Sequence, residues 1–481
     1  MVASALCRTF AAAVLLLCAA PAFADFVVNT DVDEDVDNDG TCSLREAINA
    51  VNLQANYHDC TSVNSGESSI SVAIPPNQGE THVIALAAGL PEITHFVSID
   101  ASSQKGTVCT PVPNLRVQVT NPANLGIGGL MFQGGSDFSA LKGLALSEFS
   151  AAQQAAIRIA SDDVQVGCTI AGTDASGTRA EPNYYGIYVN GQSAQIGVAT
   201  ADAWLPNLFS GNSMVDVYIG PAGSDSIVSG NYIGVDADGV TPLPSAFGVY
   251  VDAATGVRIG YVSASAPADR QRNIIGVVSP TATTSLNVGF DNAVDSAIAG
   301  NYVGVGRDGF SVVAMGTGIG VSVLDGTSIL VGCDGNTPDG ACRNVIANPT
   351  GTGVENFEGS MDTAIVGNYI GIATDGETVL DGSATTIGIV LAGANALVAR
   401  NAISTAGQGT GIVLSPDASN RTPVFANNAT AGSSGATLDS SGNCLQHNGA
   451  GVDTDLGDVV RTGECNDLSL PQLRRRLSAR A

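Results

Sequence analysis

Positive charge is what this chain has least of. Its Lys and Arg total 19 against 45 Asp and Glu, only Lys105 and Lys142 are lysines, and the formal net charge is −26. Such a chain is repelled by phosphate backbones and anionic lipid surfaces, so nucleic-acid and membrane-surface partners are excluded. Acidic polysaccharides would be held off too, unless calcium bridged the like charges. No stretch after the first 24 residues is apolar for long enough to span a bilayer. Histidine is scarce: His58, His82, His95 and His447 all lie outside the clearest repeats, which leaves no histidine general base along them. Charged residues make up only 13% of a chain with 58 glycines and 44% hydrophobic residues, which is not the composition of a disordered acidic tail.

The first apolar run has its own explanation. Arg8, the stretch Ala11 to Ala20, and Ala22-Phe23-Ala24 form the three parts of a secretory signal cleaved before Asp25. Residues 1–24 are therefore expected to be removed, and the mature chain to be secreted or held at the cell surface. Leu17 before Cys18 is too bulky for a lipoprotein site. Eight cysteines then remain, an even number in an oxidising compartment, so disulfides are expected. Connectivity is not readable from spacing. Three local pairs suit, Cys42–Cys60, Cys333–Cys342 and Cys444–Cys465, with Cys109–Cys168 as the remainder.

What the chain has in abundance is repetition. Gly230-Asn231-Tyr232-Ile233-Gly234 returns as Gly300-Asn301-Tyr302-Val303-Gly304 and as Gly367-Asn368-Tyr369-Ile370-Gly371, about 70 residues apart each time. Between them, segments such as Gly248-Val249-Tyr250-Val251 and Arg272-Asn273-Ile274-Ile275 also recur, which suggests three units of about 22 residues per long repeat. The segments are short, rich in Val and Ile, and punctuated by Gly, Asn, Asp and Pro, so they read as strands. Three strands joined by tight turns make one coil, and coils stack with parallel strands about 4.8 Å apart. The expected fold is all-β: a right-handed parallel β-helix over residues 70–415, on the order of fifteen coils and roughly 70 Å long. Residues 25–69 are expected to form a helix-containing N-terminal cap, and 416–481 a C-terminal cap with a basic tail. Asn231, Asn301 and Asn368 read as turn residues, because Asn and Gly tolerate the backbone of a sharp corner. Asn273, Asn344 and Asn401 would allow stacked amides along that corner.

Asp35-Val36-Asp37-Asn38-Asp39-Gly40-Thr41-Cys42-Ser43-Leu44-Arg45-Glu46 matches the calcium-loop pattern D-x-[DN]-x-[DN]-G-x5-E at every specified position. Asp35, Asp37 and Asp39 would wrap the ion, Thr41 would add its carbonyl, and Glu46 would close the shell. A second reading competes for Glu46. Ser43 and Glu46 also form a capping box at the start of a helix whose Leu44, Ala47, Ile48 and Val51 share one face. Calcium and a purely structural acidic turn both stay open here.

Cys42-Ser43-Leu44-Arg45-Glu46-Ala47 resembles the signature of the CSLREA-domain proteins, bacterial exported proteins with an acidic Asp/Asn/Gly stretch just before it. Leu90-Pro91-Glu92-Ile93-Thr94 and Ser98-Ile99-Asp100 are similar to that family's first coils, and the downstream Asn-x-Ile-Gly patterns agree. The resemblance implies an extracellular or cell-surface β-helix protein and no catalytic residue.

Two functions follow. Regular repeats favour an adhesin, glycan binder or structural scaffold, with Trp204, Tyr184, Tyr185 and Tyr188 as a sugar-stacking patch unless they pack internally. The alternative is a polysaccharide lyase or hydrolase. Lytic chemistry would draw its base from Arg258, Arg270, Arg272 or Arg343, and hydrolysis would need a carboxylate pair such as Asp162-Asp163. Arg272 and Arg343 occupy equivalent repeat positions, which favours architecture over catalysis. Neither set resembles a pectate-lyase or polygalacturonase signature. An oligomeric state is not legible.

Overall fold

A computed structural model describes residues 24–453, except for 63–67, 77, 277–284, 314–317, 333–339, 348–350, 381–386 and 405–409. Beyond 414 it describes only Val424–Ala426, Ala429–Ala431, Ala436–Leu438, Cys444–Gln446 and Ala450–Asp453. The expected signal, apart from Ala24, and the basic tail lie outside the described residues.

Three long sheets of 13, 14 and 11 strands wind around one core, and within each the neighbouring strands are parallel except at one end of the second. The chain visits them in turn: Ile227–Val228 in the first, Tyr232–Ile233 in the second, Phe247–Asp252 in the third, then Arg258–Gly260 back in the first. This is the right-handed parallel β-helix the sequence predicts, with the hand that parallel crossovers take. Alternation explains the core. Ile187 and Val189 stack in register on Val217 and Ile219, then on Val249 and Val251, all buried, while the residues between them face outward. At strand spacing the 13-stranded first sheet is roughly 60 Å long among the described residues, and strands continue past residue 415.

The unit of about 22 residues is wrong. Asn231, Asn273 and Asn301 stand on successive coils, so each 70-residue interval holds two coils rather than three. The two coils carry different turns. After Ile233, Val303 and Ile370 the chain folds back in a bridged excursion: Val235 with Pro242, Val305 with Val312, Ile372 with Val379. These excursions cover the outer face of the second sheet and enclose a second apolar cluster there, with Tyr232, Ile274, Tyr302 and Val345 as its floor. Each reaches over the intervening coil to its counterpart: the Arg307 N–H donates to the Gly239 carbonyl (3.0 Å) and the Thr374 N–H to the Gly309 carbonyl (3.2 Å). Contact between alternate coils makes the sequence repeat two coils long.

The corner between the first and second sheets is held by an amide ladder through Asn207, Asn231, Asn273, Asn301, Asn344, Asn368 and Asn401. Each Nδ2 donates to the next Oδ1 at 2.8–3.2 Å, and also to a backbone carbonyl such as that of Ile259 for Asn301 (2.9 Å). All are buried, so the ladder satisfies polar groups that would otherwise be costly. The left-handed backbone at this corner falls on the preceding glycines, Gly230 (φ 76°) and Gly300 (φ 72°), rather than on the asparagines. A Cβ at Gly230 would lie 2.3 Å from the Arg270 carbonyl oxygen, so only glycine fits.

The helix α1 (Leu44–Leu53) packs on Ala24–Val28 and Ser68–Val72, the first two strands of the first sheet. Its Leu44, Ala47, Ile48 and Val51 join the same core as Phe26 and Ile70. The cap therefore continues the first sheet and covers the open end of the core, where exposed edges must be protected.

Candidate functional site

The acidic turn and the start of α1 form one hydrogen-bonded unit. Ser43 caps α1, its Oγ accepting the Glu46 N–H (3.1 Å), while Glu46 Oε2 accepts the Ser43 N–H (2.9 Å). Oε1 of the same carboxylate accepts the Val36 N–H (3.0 Å) and lies 3.1 Å from His58 Nδ1. Glu46 is fully buried, and both its oxygens are engaged. Asp39 is likewise occupied, accepting the Thr41 N–H (2.9 Å), which holds its carboxyl below the usual range. Asp37 is exposed. The ligand-type groups that converge among the described residues are Asp35, Glu46 and His58, within 4.8 Å of one another. This differs from the expected set of Asp35, Asp37, Asp39, Thr41 and Glu46, and Glu46 could close a calcium shell only by giving up the capping box. Glu46→Gln is accordingly expected to cost about 1–3 kcal/mol and to lower the melting temperature equally in calcium and in chelator. A calcium-dependent gap in wild-type melting that Asp37→Ala abolishes would show an ion instead.

Cys42 bonds Cys60 and Cys109 bonds Cys168. Cys342 is also disulfide-bonded; its expected partner Cys333 lies outside the described residues, as does Cys465. Nothing is described of the Cys444 side chain beyond its strand.

The outer face of the third sheet carries the main aromatic feature. Arg158, Tyr188, Tyr218 and Tyr250 are register neighbours on four successive strands and all point outward, half-buried. The Tyr188 and Tyr218 rings stack at 4.8 Å and 9°, and Tyr218 and Tyr250 at 5.8 Å and 23°. The Arg158 guanidinium covers the far side of Tyr188 at 4.7 Å. Tyr185 flanks Tyr188 and Tyr218, tilted about 40° from their rings, and meets Tyr184 edge-on at 81°. The Tyr218 hydroxyl donates to Asp252 (2.5 Å) and the Tyr250 hydroxyl to Asp291 (2.6 Å). Burial and these carboxylates push both phenols upward, so they remain protonated donors. The result is a continuous stack of rings, capped by a guanidinium and bordered by two carboxylates that hold the hydroxyls of Tyr218 and Tyr250.

Three of these tyrosines were among the expected sugar-stacking residues, but Trp204 stands apart. It lies in an antiparallel excursion, Trp204–Leu205 against Val198–Ala199, beside Gly230. Tyr218 and Tyr250 complete the strip and were not foreseen. The expected carboxylate pair is dispersed: Asp162 accepts the Gln192 N–H (2.8 Å), and Asp163 adopts a left-handed turn conformation (φ 57°). Arg258 and Arg270 donate to the carbonyls of Asp295 and Ala201.

No family model matches the chain, and no curated protein matches its sequence. Among solved structures it is similar to the periplasmic alginate epimerase AlgG, 11% identical over 80% of this chain and 77% of that one, with a TM-score of 0.35. It is also similar to pectate lyase Pel9A, 12% identical over 93% and 83%, TM-score 0.27. A third is PfbA, a surface adhesin of Streptococcus pneumoniae, 11% identical over 76% and 82%, TM-score 0.24. Likeness at this level carries no information on substrate.

Proposed function

We propose that this chain is an exported carbohydrate-binding β-helix whose tyrosine strip holds a glycan. The observation behind this reading is the concentration of rings. Tyr184, Tyr185, Tyr188, Tyr218 and Tyr250 are half of the chain's 10 tyrosines, gathered on one outward strip although aromatics are only 5% of the sequence. Rigid tyrosines offer contact area at little entropic cost, and Asp252, Asp291 and Arg158 supply the hydrogen-bonding groups a sugar's hydroxyls require. Export is supported by the disulfides.

One observation favours the enzymatic alternative. Asp252 and Asp291 are register partners on neighbouring strands, and paired carboxylates are what glycoside hydrolysis uses. Both already accept tyrosine hydroxyls, so binding without turnover is the preferred reading. Incubation with neutral and uronate polysaccharides is expected to give retention without product. New reducing ends or unsaturated products, lost on Asp252→Asn or Asp291→Asn, would establish the enzyme.

A further inference from the structure

On a different face, over the second sheet, lies a cleft of about 450 Å³ lined by Asp269, Arg272, Tyr302, Ala341, Arg343 and Thr374, among others. Two guanidinium groups in one cleft are unusual in a chain of net charge −26, and each is fixed the same way. Arg272 lies over the Tyr302 ring at 4.3 Å and its Nε donates to the Gly300 carbonyl (3.3 Å). Arg343 lies over the Tyr369 ring at 4.0 Å and its Nε donates to the Gly367 carbonyl (3.2 Å). Stack and Nε bond orient each plane, and no described residue accepts from the terminal nitrogens of either. Neither arginine makes an ion pair with a described carboxylate, although Asp269 also lines the cleft.

A planar fork of N–H donors held this way suits a carboxylate or another oxyanion taken bidentately. Asp269 accepts rather than donates, so it suits hydroxyls on the same ligand, and the volume lies in the small-molecule range. We propose that this cleft is a binding site for a sugar acid, an oxyanion carried on a hydroxylated ring. Repetition supports a polymeric ligand, with the paired arginines offsetting locally the net negative charge that would otherwise hold an acidic polysaccharide off. Arg272 and Arg343 precede Asn273 and Asn344 of the ladder, two coils apart, or about 9.6 Å along the rod. Two arginines held alike and about 9.6 Å apart along the rod can engage two charges of one extended acidic chain. The equivalence that made these residues look architectural is then also a means of recognition.

Calorimetric titration of the mature chain with glucuronate, glucose and inorganic sulfate at physiological salt tests this. Glucuronate is expected to bind at least tenfold more tightly than glucose. Arg272→Gln and Arg343→Gln should each weaken it about tenfold, the loss of one charge-assisted pair, while Tyr185→Ala should leave it unchanged. That last comparison separates this cleft from the tyrosine strip. Ala341→Glu, which leaves both stacked arginines in place and adds a carboxylate at the cleft, should abolish binding and serves if an arginine variant fails to fold. Equal affinity for glucose, no glucuronate binding by wild type, or undiminished binding in the arginine and Ala341→Glu variants would overturn the proposal. Sulfate bound as tightly as glucuronate would overturn the sugar and leave a plain oxyanion.

Discussion

Arg45→Ala is expected to destabilise the N-terminal cap by roughly 3–5 kcal/mol, the cost of removing one partner from a buried ion pair. Arg45 holds Asp33 with both arms of the guanidinium, Nε to Oδ1 at 2.9 Å and Nη2 to Oδ2 at 2.8 Å. It also donates to the carbonyls of Gly89 (2.6 Å) and Ala88 (2.8 Å) in the next loop. The Asp33 side chain is only 2% exposed. Without Arg45 its carboxylate would keep the Ala87 N–H (2.7 Å) and no charge partner. In a solenoid, stability is approximately a sum over neighbouring units, so the loss should appear as early unfolding of the end coils. Amide exchange in α1 and the first strands measures it. Arg45→Lys should recover only part, because an ammonium cannot make the forked contact. Asp33→Asn combined with Arg45→Ala should cost less than Arg45→Ala alone. A loss below about 1 kcal/mol would place the pair with ordinary surface salt bridges.

The second large effect concerns Asp216, fully buried in the third sheet. Burial pushes its carboxyl up from 3.8 to about 8, only partly offset by the Ser245 hydroxyl (2.6 Å) and the Asn212 amide (2.7 Å), which donate to Oδ1. Its Oδ2 has no partner among the described residues. The folded chain therefore keeps this proton between about pH 4 and pH 8, where the unfolded chain has released it. The stability tied to the proton is complete below the unfolded value and is lost as pH rises through about 8, at about 1.4 kcal/mol per pH unit within the window. Asp216→Asn keeps the Oδ1 acceptor and removes the titration. The variant should lose this slope and exceed wild type at pH 7.5 by on the order of 3 kcal/mol after allowing for an unpaired amide N–H. Urea midpoints at pH 4.5 and 7.5 check it. Parallel pH profiles for the two proteins would show that Asp216 is ionised in the fold.

Asp216 also explains what the sequence concealed. Its position in the third sheet is glycine in most coils, as at Gly186, Gly248, Gly320 and Gly353, because a Cβ there would press on the next coil's carbonyl. Asp216 and Asn287 break that column. The coils Asp216-Val217-Tyr218-Ile219 and Asn287-Val288-Gly289-Phe290 therefore do not look like Gly248-Val249-Tyr250-Val251, and two coils pass for three shorter units. The same omission hides Tyr218, the centre of the ring stack. Fold class, the cap helix with its capping box, and the asparagine corner were legible because periodicity and local turn chemistry specify them. Each residue of Cys42-Ser43-Leu44-Arg45-Glu46-Ala47 has a place in the cap: disulfide, N-cap, core, ion pair, capping box and core. The partners of Arg45 and the second core over the second sheet were not legible. They join residues tens of positions apart, which only the winding of the coil brings together.

The most direct test of glycan binding by the tyrosine strip is a sugar array probed with residues 25–481 beside the same chain carrying Tyr185→Ala. Tyr185 stands beside the column, half-buried, 5.4 Å from Tyr218 and 5.9 Å from Tyr188, so its removal leaves the stacked pairs in place and should change the melting temperature little. The account predicts that wild type retains at least one glycan and that Tyr185→Ala binds it about tenfold less tightly, the loss of one aromatic contact. An array with no bound glycan, or one on which the two proteins behave alike, would contradict it.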